Sequence, residues 1–198
     1  MLRAENISYA IGNKTLLEPT TLSFDEGSFH VIMGSNGAGK STLVKLFAGD
    51  IKPKAGIIYL NDIDLQQIPK VELARRRAVL SQHYAINFPI NVNDIVLMGR
   101  YPYYSNNPTS NDIGICEMSK QLMEVSEFGD RDYNTLSGGE AQKVQMSRVL
   151  AQIWEAGKDS KILFLDEPTS GLDPLSRNNL WEYIQQVRKD NKTTIFLT

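Results

Sequence analysis

The chain has 198 residues, 41% of them apolar and 22% charged, with a formal net charge of −2. That suffices for one sizeable domain or two closely packed lobes, and without a basic excess it does not point to nucleic acid as a partner. Cys116 is the only cysteine, which excludes a disulfide framework and a cysteine-rich metal site and fits a reducing cytosol. The first residues hold no long apolar run, so they do not read as a secretory signal. Nowhere do about 18 apolar residues follow one another, so no segment reads as a membrane span, and any link to a membrane is expected to run through a partner.

In chain order, residues 1–9 and 22–24 alternate enough to read as strands of a mixed sheet. Residues 29–33 are an apolar run that reads as a buried strand, followed at once by a glycine-rich loop and the apolar segment 43–48. Strand, glycine loop and helix is the order a phosphate-binding loop requires. Residues 57–60 and 78–80 read as further strands, with a short helix over 69–75 between them. From 83 to 135 the character changes. Prolines, asparagines and tyrosines cluster at 100–111 and predict a loop, flanked by helical patterns over 92–98 and 112–128. This block, about 83–135, reads as a helical lobe inserted into an α/β core made of 1–82 and 136–198. The core resumes with a helix over 138–154, a buried strand over 162–165, a helix over 174–189 and a last strand over 193–197. Helices alternating with short apolar strands predict a mostly parallel sheet covered on both faces.

Gly34, Ser35, Asn36, Gly37, Ala38, Gly39, Lys40 and Ser41 fit the pattern G-x-x-x-x-G-K-S/T, with Thr42 next. Glycines let the backbone fold tightly so that successive N–H groups point inward. Those donors and the start of the following helix bind phosphate oxygens. Lys40 adds a full positive charge for the β- and γ-phosphates, and the Ser41 hydroxyl is a hard oxygen ligand suited to Mg2+. The plainer alternative is a glycine-rich turn with a stray lysine.

Residues 162–165 are four apolar residues followed by Asp166 and Glu167. A parallel strand ends in the crevice where ligands bind, so Asp166 is expected near the Mg2+ that Ser41 touches. Glu167, one residue on, is the natural group to orient and polarise an attacking water. Taken alone, the pair could equally be a strand ending in a polar turn.

Leu136-Ser137-Gly138-Gly139-Glu140 precedes a helix with Gln142 and Lys143 near its start. A serine hydroxyl, flexible glycine amides and a helix N-terminus make a second anion site, or a plain helix cap. Phosphate loop, this motif, the 162–167 segment and Ser170-Gly171-Leu172-Asp173 occur together in the order and rough spacing of the ATP-binding cassette ATPases, and the chain resembles that family along essentially its whole length. The resemblance implies a P-loop NTPase (RecA-like) core with an N-terminal antiparallel β-subdomain and an inserted α-helical subdomain, and ATP with Mg2+ as the bound species. Tyr9, 25 residues before Gly34, matches the family's adenine-stacking aromatic, the alternative being an ordinary strand tyrosine. Gln82 matches the glutamine that reaches Mg2+ and the water. Asp173 matches the aspartate that couples two nucleotide sites across a dimer. In the family two copies face each other head to tail, so Ser137, Gly138 and Gly139 would act on the nucleotide of a second copy.

The family also carries a histidine just after its last core strand. Here the only histidines are His30 and His83, neither in that place. The expectation is therefore a truncated chain whose last strand lacks a covering layer and whose own hydrolysis is weak. Residues 88–102 resemble the lobe of importers for iron chelates, haem and cobalamin, and residues 149–154 are similar to the haemin branch, with ferric siderophore and cobalamin as alternatives. Such importers pair this subunit with transmembrane permease subunits and, indirectly, an extracytoplasmic substrate-binding protein, which implies a peripheral place on the cytoplasmic face of the inner or plasma membrane. Tyr84, Phe88, Tyr101, Tyr103 and Tyr104 could grip a permease helix or simply pack the lobe. Rival classes remain a non-transport ABC ATPase, a P-loop kinase or GTPase, and a non-catalytic binding module. A kinase or GTPase leaves the 136–140 motif unexplained, and no heptad run marks a soluble coiled-coil ATPase.

Overall fold

The computed structural model describes residues 2–35, 37–81, 86–154, 160–169, 172–190 and 193–198. The first half of the chain runs β1 (Leu2–Ile11), β2 (Lys14–Phe24), β3 (Phe29–Val31), α1 (Lys40–Ala48), β4 (Ala55–Leu60), β5 (Ile63–Asp64), α2 (Lys70–Arg76) and β6 (Arg77–Leu80). Then come α3 (Val92–Met98), α4 (Ser110–Leu122), α5 (Gly138–Ile153), β7 (Ile162–Leu165), α6 (Pro174–Asp190) and β8 (Thr194–Leu197).

The strands form two sheets. One is antiparallel, in the order β2-β1-β4-β5; the other has the order β3-β8-β7-β6, with every neighbouring pair parallel. In β1 the buried residues are Leu2, Ala4 and then Ile7. Strict alternation would turn Asn6 inward. Instead Asn6 is left-handed (φ 49) and the pairing register with β2 shifts between Ala4 and Ile7, so a bulge returns an apolar residue to the core.

The parallel sheet divides two apolar clusters. Ile162 and Phe164 of β7 join Leu46 and Phe47 of α1 and Ile58 and Leu60 of β4. Leu163 and Leu165, the alternate residues, join Val149 and Leu150 of α5, Leu180 and Ile184 of α6, and Val92, Ile95 and Val96 of α3. The segment 86–135 thus shares its core with the helices of 138–190. Gly99 shows how close the approach is: a Cβ there would lie 2.2 Å from the Arg148 carbonyl oxygen of α5.

A buried ion pair fastens the same contact. Arg100, fully buried, donates from Nε to Asp112 Oδ1 (2.9 Å) and from Nη1 to the Ala151 carbonyl (2.9 Å). Its guanidinium lies 3.8 Å from the Tyr103 ring centroid, and the Tyr103 hydroxyl donates to the Gln152 carbonyl at 2.7 Å.

Several sequence expectations need correction. The segment 22–24 is only the end of β2, which begins at Lys14 and pairs along β1 in a sheet separate from the parallel one rather than in one mixed sheet. The run 29–33 is not a buried strand: only Phe29–Val31 is extended in the sheet, Val31 is 52% exposed and Met33 85%, because among the described residues β3 has a neighbour on one side only. The helix expected over 112–128 stops at Leu122, Glu124 turns left-handed (φ 57), and a single 3-10 turn follows over Ser126–Phe128. The last strand does not lack cover. β8 lies between β3 and β7, with Ile195 in one cluster and Phe196 in the other, both fully buried.

Burial alone would raise the Asp112 carboxyl, but the Thr109 hydroxyl and amide, with Arg100, outweigh it and hold the group below the usual carboxylate range. The stabilisation this supplies is present above the ordinary carboxylate value and is lost as pH falls through the depressed one. Asp112→Ala would leave Arg100 as an uncompensated buried charge, so it should cost about 3–5 kcal/mol at neutral pH. Urea denaturation should show that loss, and the variant's stability should fall less steeply than the wild type's on the acid side of that range.

Candidate functional site

Where β7 ends, a pocket of about 530 Å³ opens between the start of α1 and the β1–β2 hairpin. Gly37, Gly39, Lys40, Ser41 and Thr42 form one wall; Asp166 and Glu167 form another; Lys14 and Leu16 of β2 complete it. Gly39 is the residue that shapes it. Its backbone is left-handed (φ 92), and a Cβ would lie 2.5 Å from the Leu16 carbonyl oxygen. Gly39 also caps α1 with no side-chain hydrogen bond to the helix amides. The first N–H groups of a helix have no partner within it, so here they face the pocket as an anion cradle. The Ala38 amide donates to the Ser35 carbonyl (3.2 Å), closing the turn. Lys40 Nζ donates to the carbonyls of Gly34 (2.8 Å) and Ser35 (3.1 Å), which holds its charge over the loop.

The carboxylates are set by the sheet. The Asp166 amide donates to the Leu80 carbonyl at 3.0 Å, extending the ladder with β6, and its carboxylate accepts from the Thr198 hydroxyl. Glu167 is left-handed (φ 47) although the proline after it favours an extended conformation there. The Gln142 side-chain amide of α5 reaches the Glu167 and Pro168 carbonyls at 3.5 and 3.4 Å. Among the described residues no cluster of three or more His, Cys, Asp or Glu side chains could hold a metal unaided. One or two carboxylates with a hydroxyl is, however, what Mg2+ uses when phosphates supply its other ligands, so Ser41 and Asp166 fit that ion in the presence of a nucleotide.

A second concavity, about 480 Å³, is lined by Ser137, Gly139 and Glu140 at the start of α5, by Leu172 and Asp173, and by Glu124, Glu127, Phe128 and Lys143. The Ser137 hydroxyl accepts from the Glu140 amide (3.3 Å), and Glu140 Oε2 accepts from the Ser137 amide (2.7 Å), a reciprocal capping box. The Ser137 hydroxyl and amide hold the Glu140 carboxyl below its ordinary range. Asp173 caps α6, accepting from the Ser176 hydroxyl and from its amide at 3.0 Å, and these bonds depress its pKa. Lys143 Nζ lies 3.4 Å from Glu124 Oε2 and 3.9 Å from Asp173 Oδ2. Among the described residues, a Cβ added at Gly138 would meet nothing within 4 Å.

The structure therefore brings Gly37, Gly39, Lys40, Ser41, Thr42, Asp166 and Glu167 around one pocket and Ser137, Gly139 and Asp173 around another, and among the described residues none lines both. Tyr9 lines neither. It is half-buried opposite Leu17 and packs on the cluster beneath the antiparallel sheet. Asn36, Gln82, His83, Tyr84, Ser170 and Gly171 lie outside the described residues. His30 is structural: its ring meets Phe24 and Phe196 and shares a 2.6 Å hydrogen bond with Ser28 Oγ. Of the other lobe aromatics, Phe88 and Tyr101 are exposed (58% and 56%), Tyr104 stands against Tyr101, and Tyr103 is spent on Arg100 and Gln152. Sequence reasoning missed Lys14 and Leu16, because β2 was not expected so early. It also missed Thr198, which the rule that ligands gather at the ends of parallel strands would have flagged.

The family description "ABC transporter" matches residues 17–170. The chain is 38% identical over 180 residues to the haemin import ATP-binding protein of Methylobacillus flagellatus, covering 91% of this chain and 67% of that protein. It is 36% identical to the protein of that name from Pseudomonas aeruginosa, over all of this chain and 76% of the relative. Among solved structures, a metal-chelate type ABC transporter in an inward-facing conformation superposes with a TM-score of 0.76 at 26% identity, covering all of this chain and 72% of that one. A dimeric bacterial ABC transporter cassette gives a TM-score of 0.83 at 24% identity, covering all of this chain and 88% of that one, and shares the fold.

The two helix-start glycines should behave oppositely. Gly39→Ala meets a backbone oxygen and a left-handed backbone, so it should destabilise the fold by about 1–3 kcal/mol. Gly138→Ala enters space that no described residue fills, at the start of a helix where glycine costs conformational entropy, and should raise the thermal midpoint by about 1–4 °C. Parallel melting curves of the two variants check both.

Proposed function

Because the chain belongs to the ABC transporter family, we propose that it binds and hydrolyses ATP as the motor subunit of an importer, and that the imported cargo is haemin. The observation that carries the motor reading is the separation of the two pockets. Lysine, glycine amides and carboxylates surround one; the serine–glycine helix start lines the other; among the described residues they share none. Two copies turned head to tail bring the second surface of each over the first pocket of its twin. The nucleotide then contributes affinity for the closed pair, and losing its γ-phosphate removes it.

Within that arrangement the loop amides of 34–42 and the start of α1 hold the phosphates, and Lys40 places its charge on the β- and γ-phosphates. Ser41 and Asp166, with Gln82 as the further ligand, would hold Mg2+, which would supply neutralisation of phosphate charge when bound. Glu167 orients the attacking water and accepts its proton. Ser137, Gly138 and Gly139 donate to the γ-phosphate from the facing copy, where the start of α5 favours negative charge. Tyr9 would stack on the adenine by moving from its packed position, with Leu16 and Lys14 as the alternative apolar and cationic contacts. Asp173, at the head of α6, faces the partner copy.

No helix among the described residues is long and apolar enough to cross a membrane, so the movement is passed to transmembrane permease subunits. Phe88 and Tyr101, the exposed aromatics of the lobe, are the proposed grips. The chain does not touch cargo. Haemin rests on the relatives, which match at 36–38% identity under that name.

Lys40→Ala should abolish ATP binding, since the loop loses its full charge, whereas Glu167→Gln should bind ATP and pair with a second copy yet turn over at least about a hundredfold more slowly. Nucleotide titration and phosphate release distinguish them, and undiminished affinity in the lysine variant or wild-type turnover in the glutamine variant would contradict the assignment. For the cargo, the chain reconstituted with its permease and binding protein should hydrolyse ATP faster when the binding protein carries haemin. Equal stimulation by a ferric siderophore or cobalamin would remove haemin as the specific substrate.

A further inference from the structure

Glu167 sits in a backbone conformation that its own chemistry disfavours. A left-handed φ is uncommon outside glycine, asparagine and aspartate, yet Glu167 has φ 47. The proline that follows restricts it further. Such a residue keeps its place only when its surroundings over-determine it. Upstream the sheet does this, through the Asp166 amide on the Leu80 carbonyl at 3.0 Å. Downstream, the Leu172 amide donates to the Thr169 carbonyl at 3.2 Å. The Gln142 side chain reaches the carbonyls of Glu167 and Pro168, its Nε2 lying 3.5 Å from the first oxygen and 3.4 Å from the second. An amide nitrogen carries two hydrogens and can serve both oxygens.

We propose that Gln142 is a positioning residue for Glu167, and that through it the start of α5 controls how the Glu167 carboxylate is presented. The inference rests on the reading of Glu167 as the water-orienting group. Gln142 lies in the second turn of a helix whose first turn is made rigid by the Ser137–Glu140 capping box. That first turn also lines the second pocket. The neighbouring Lys143 stands 3.9 Å from Asp173, so consecutive residues of α5 bracket both ends of the segment running from the carboxylates to α6. The bonds from Gln142 are long, so a shift of α5 by a few tenths of an ångström along its axis makes or loosens them. A group docked on Ser137 and Gly139 therefore reaches the Glu167 of the same chain, which serves the other nucleotide of the pair.

The test uses the full chain assembled with its permease. Gln142→Met keeps the volume and removes the donor; Gln142→Lys keeps a donor. In the methionine variant kcat for ATP should fall about tenfold, the scale of one or two lost neutral hydrogen bonds, while ATP affinity stays within about twofold and the lysine variant recovers most of the rate. In a Glu167→Gln background the methionine change should cost nothing further, because it acts through the missing carboxylate. Should Gln142→Met fold poorly, Gln142→Glu removes the donor at neutral pH and is read in the same way. Wild-type turnover in the donor-free variants, with Lys40→Ala inactive, would overturn the proposal and leave the ATPase reading intact, as would an equal further loss in the Glu167→Gln background. If Lys40→Ala and Glu167→Gln themselves turn over like wild type, the ATPase reading fails and the proposal falls with it.

Discussion

The four residues of β7 are the constraint on which the rest of the molecule depends. Ile162 and Phe164 commit the strand to the cluster under α1 and the antiparallel sheet, while Leu163 and Leu165 commit it to the cluster under α3, α5 and α6. All four are at most 3% exposed. A strand buried on both faces cannot slip by one residue without exchanging its two cores. Its register against β6 and β8, from Ile162 to Leu165, therefore also determines where Asp166 and Glu167 emerge. Hydrophobic burial of about 25 cal/mol per Å² is non-directional; the alternation converts it into a positional constraint on two charges.

The same economy appears at the helix starts. α1 begins without a side-chain cap, and α5 and α6 begin with capped turns. In α1 the uncapped amides face the pocket beside Lys40. In α5 and α6 the capping residues Ser137 and Asp173 are the ones the family resemblance singles out for contact across a dimer. The helix-cap alternative for the 136–140 motif is thus physically present, and it bears on an anion-binding role: the Ser137 hydroxyl leans on the Glu140 carboxylate, so an anion docked there competes with that carboxylate for its one hydrogen.

Much of this was legible in sequence where one signal dominated. The limits of α3 and β7 match their periodicity, and α5 differs by one residue at its end, since apolar spacing and caps agree there. That the glycine loop and the two acids would meet at one crevice could be read because their order is tied to a strand–loop–helix unit, and they line one pocket. Reading failed where competing signals were weak. Along β2, the half-exposed stretch Leu16, Leu17, Glu18, Pro19, Thr20 carries no clean alternation, so its length and its pocket residues Lys14 and Leu16 stayed hidden. Edge exposure hid the true character of 29–33, because an apolar run does not say how many neighbours a strand has. The left-handed Glu124 ended α4 with no glycine to announce it. Tyr9 had the right spacing for a ligand contact, yet spacing along a strand does not reveal which cluster a ring packs against.

Gly138 and Gly139 bear on how the two surfaces are used. Glycine in a helix costs about 1 kcal/mol relative to alanine, and at Gly138 a methyl group would meet no atom of the described residues within 4 Å. Among the described residues no contact offsets that cost, in contrast with Gly39, where the Leu16 carbonyl leaves no room for a side chain. A small residue kept at a helix start with open space above it is accounted for by close approach of something from outside. The N-terminal end of the α5 dipole favours an anion there, while the surrounding Glu124, Glu127, Glu140 and Asp173 oppose an isolated one. An anion brought together with its own counter-charges, as a triphosphate carried on a lysine-bearing loop would be, meets both conditions.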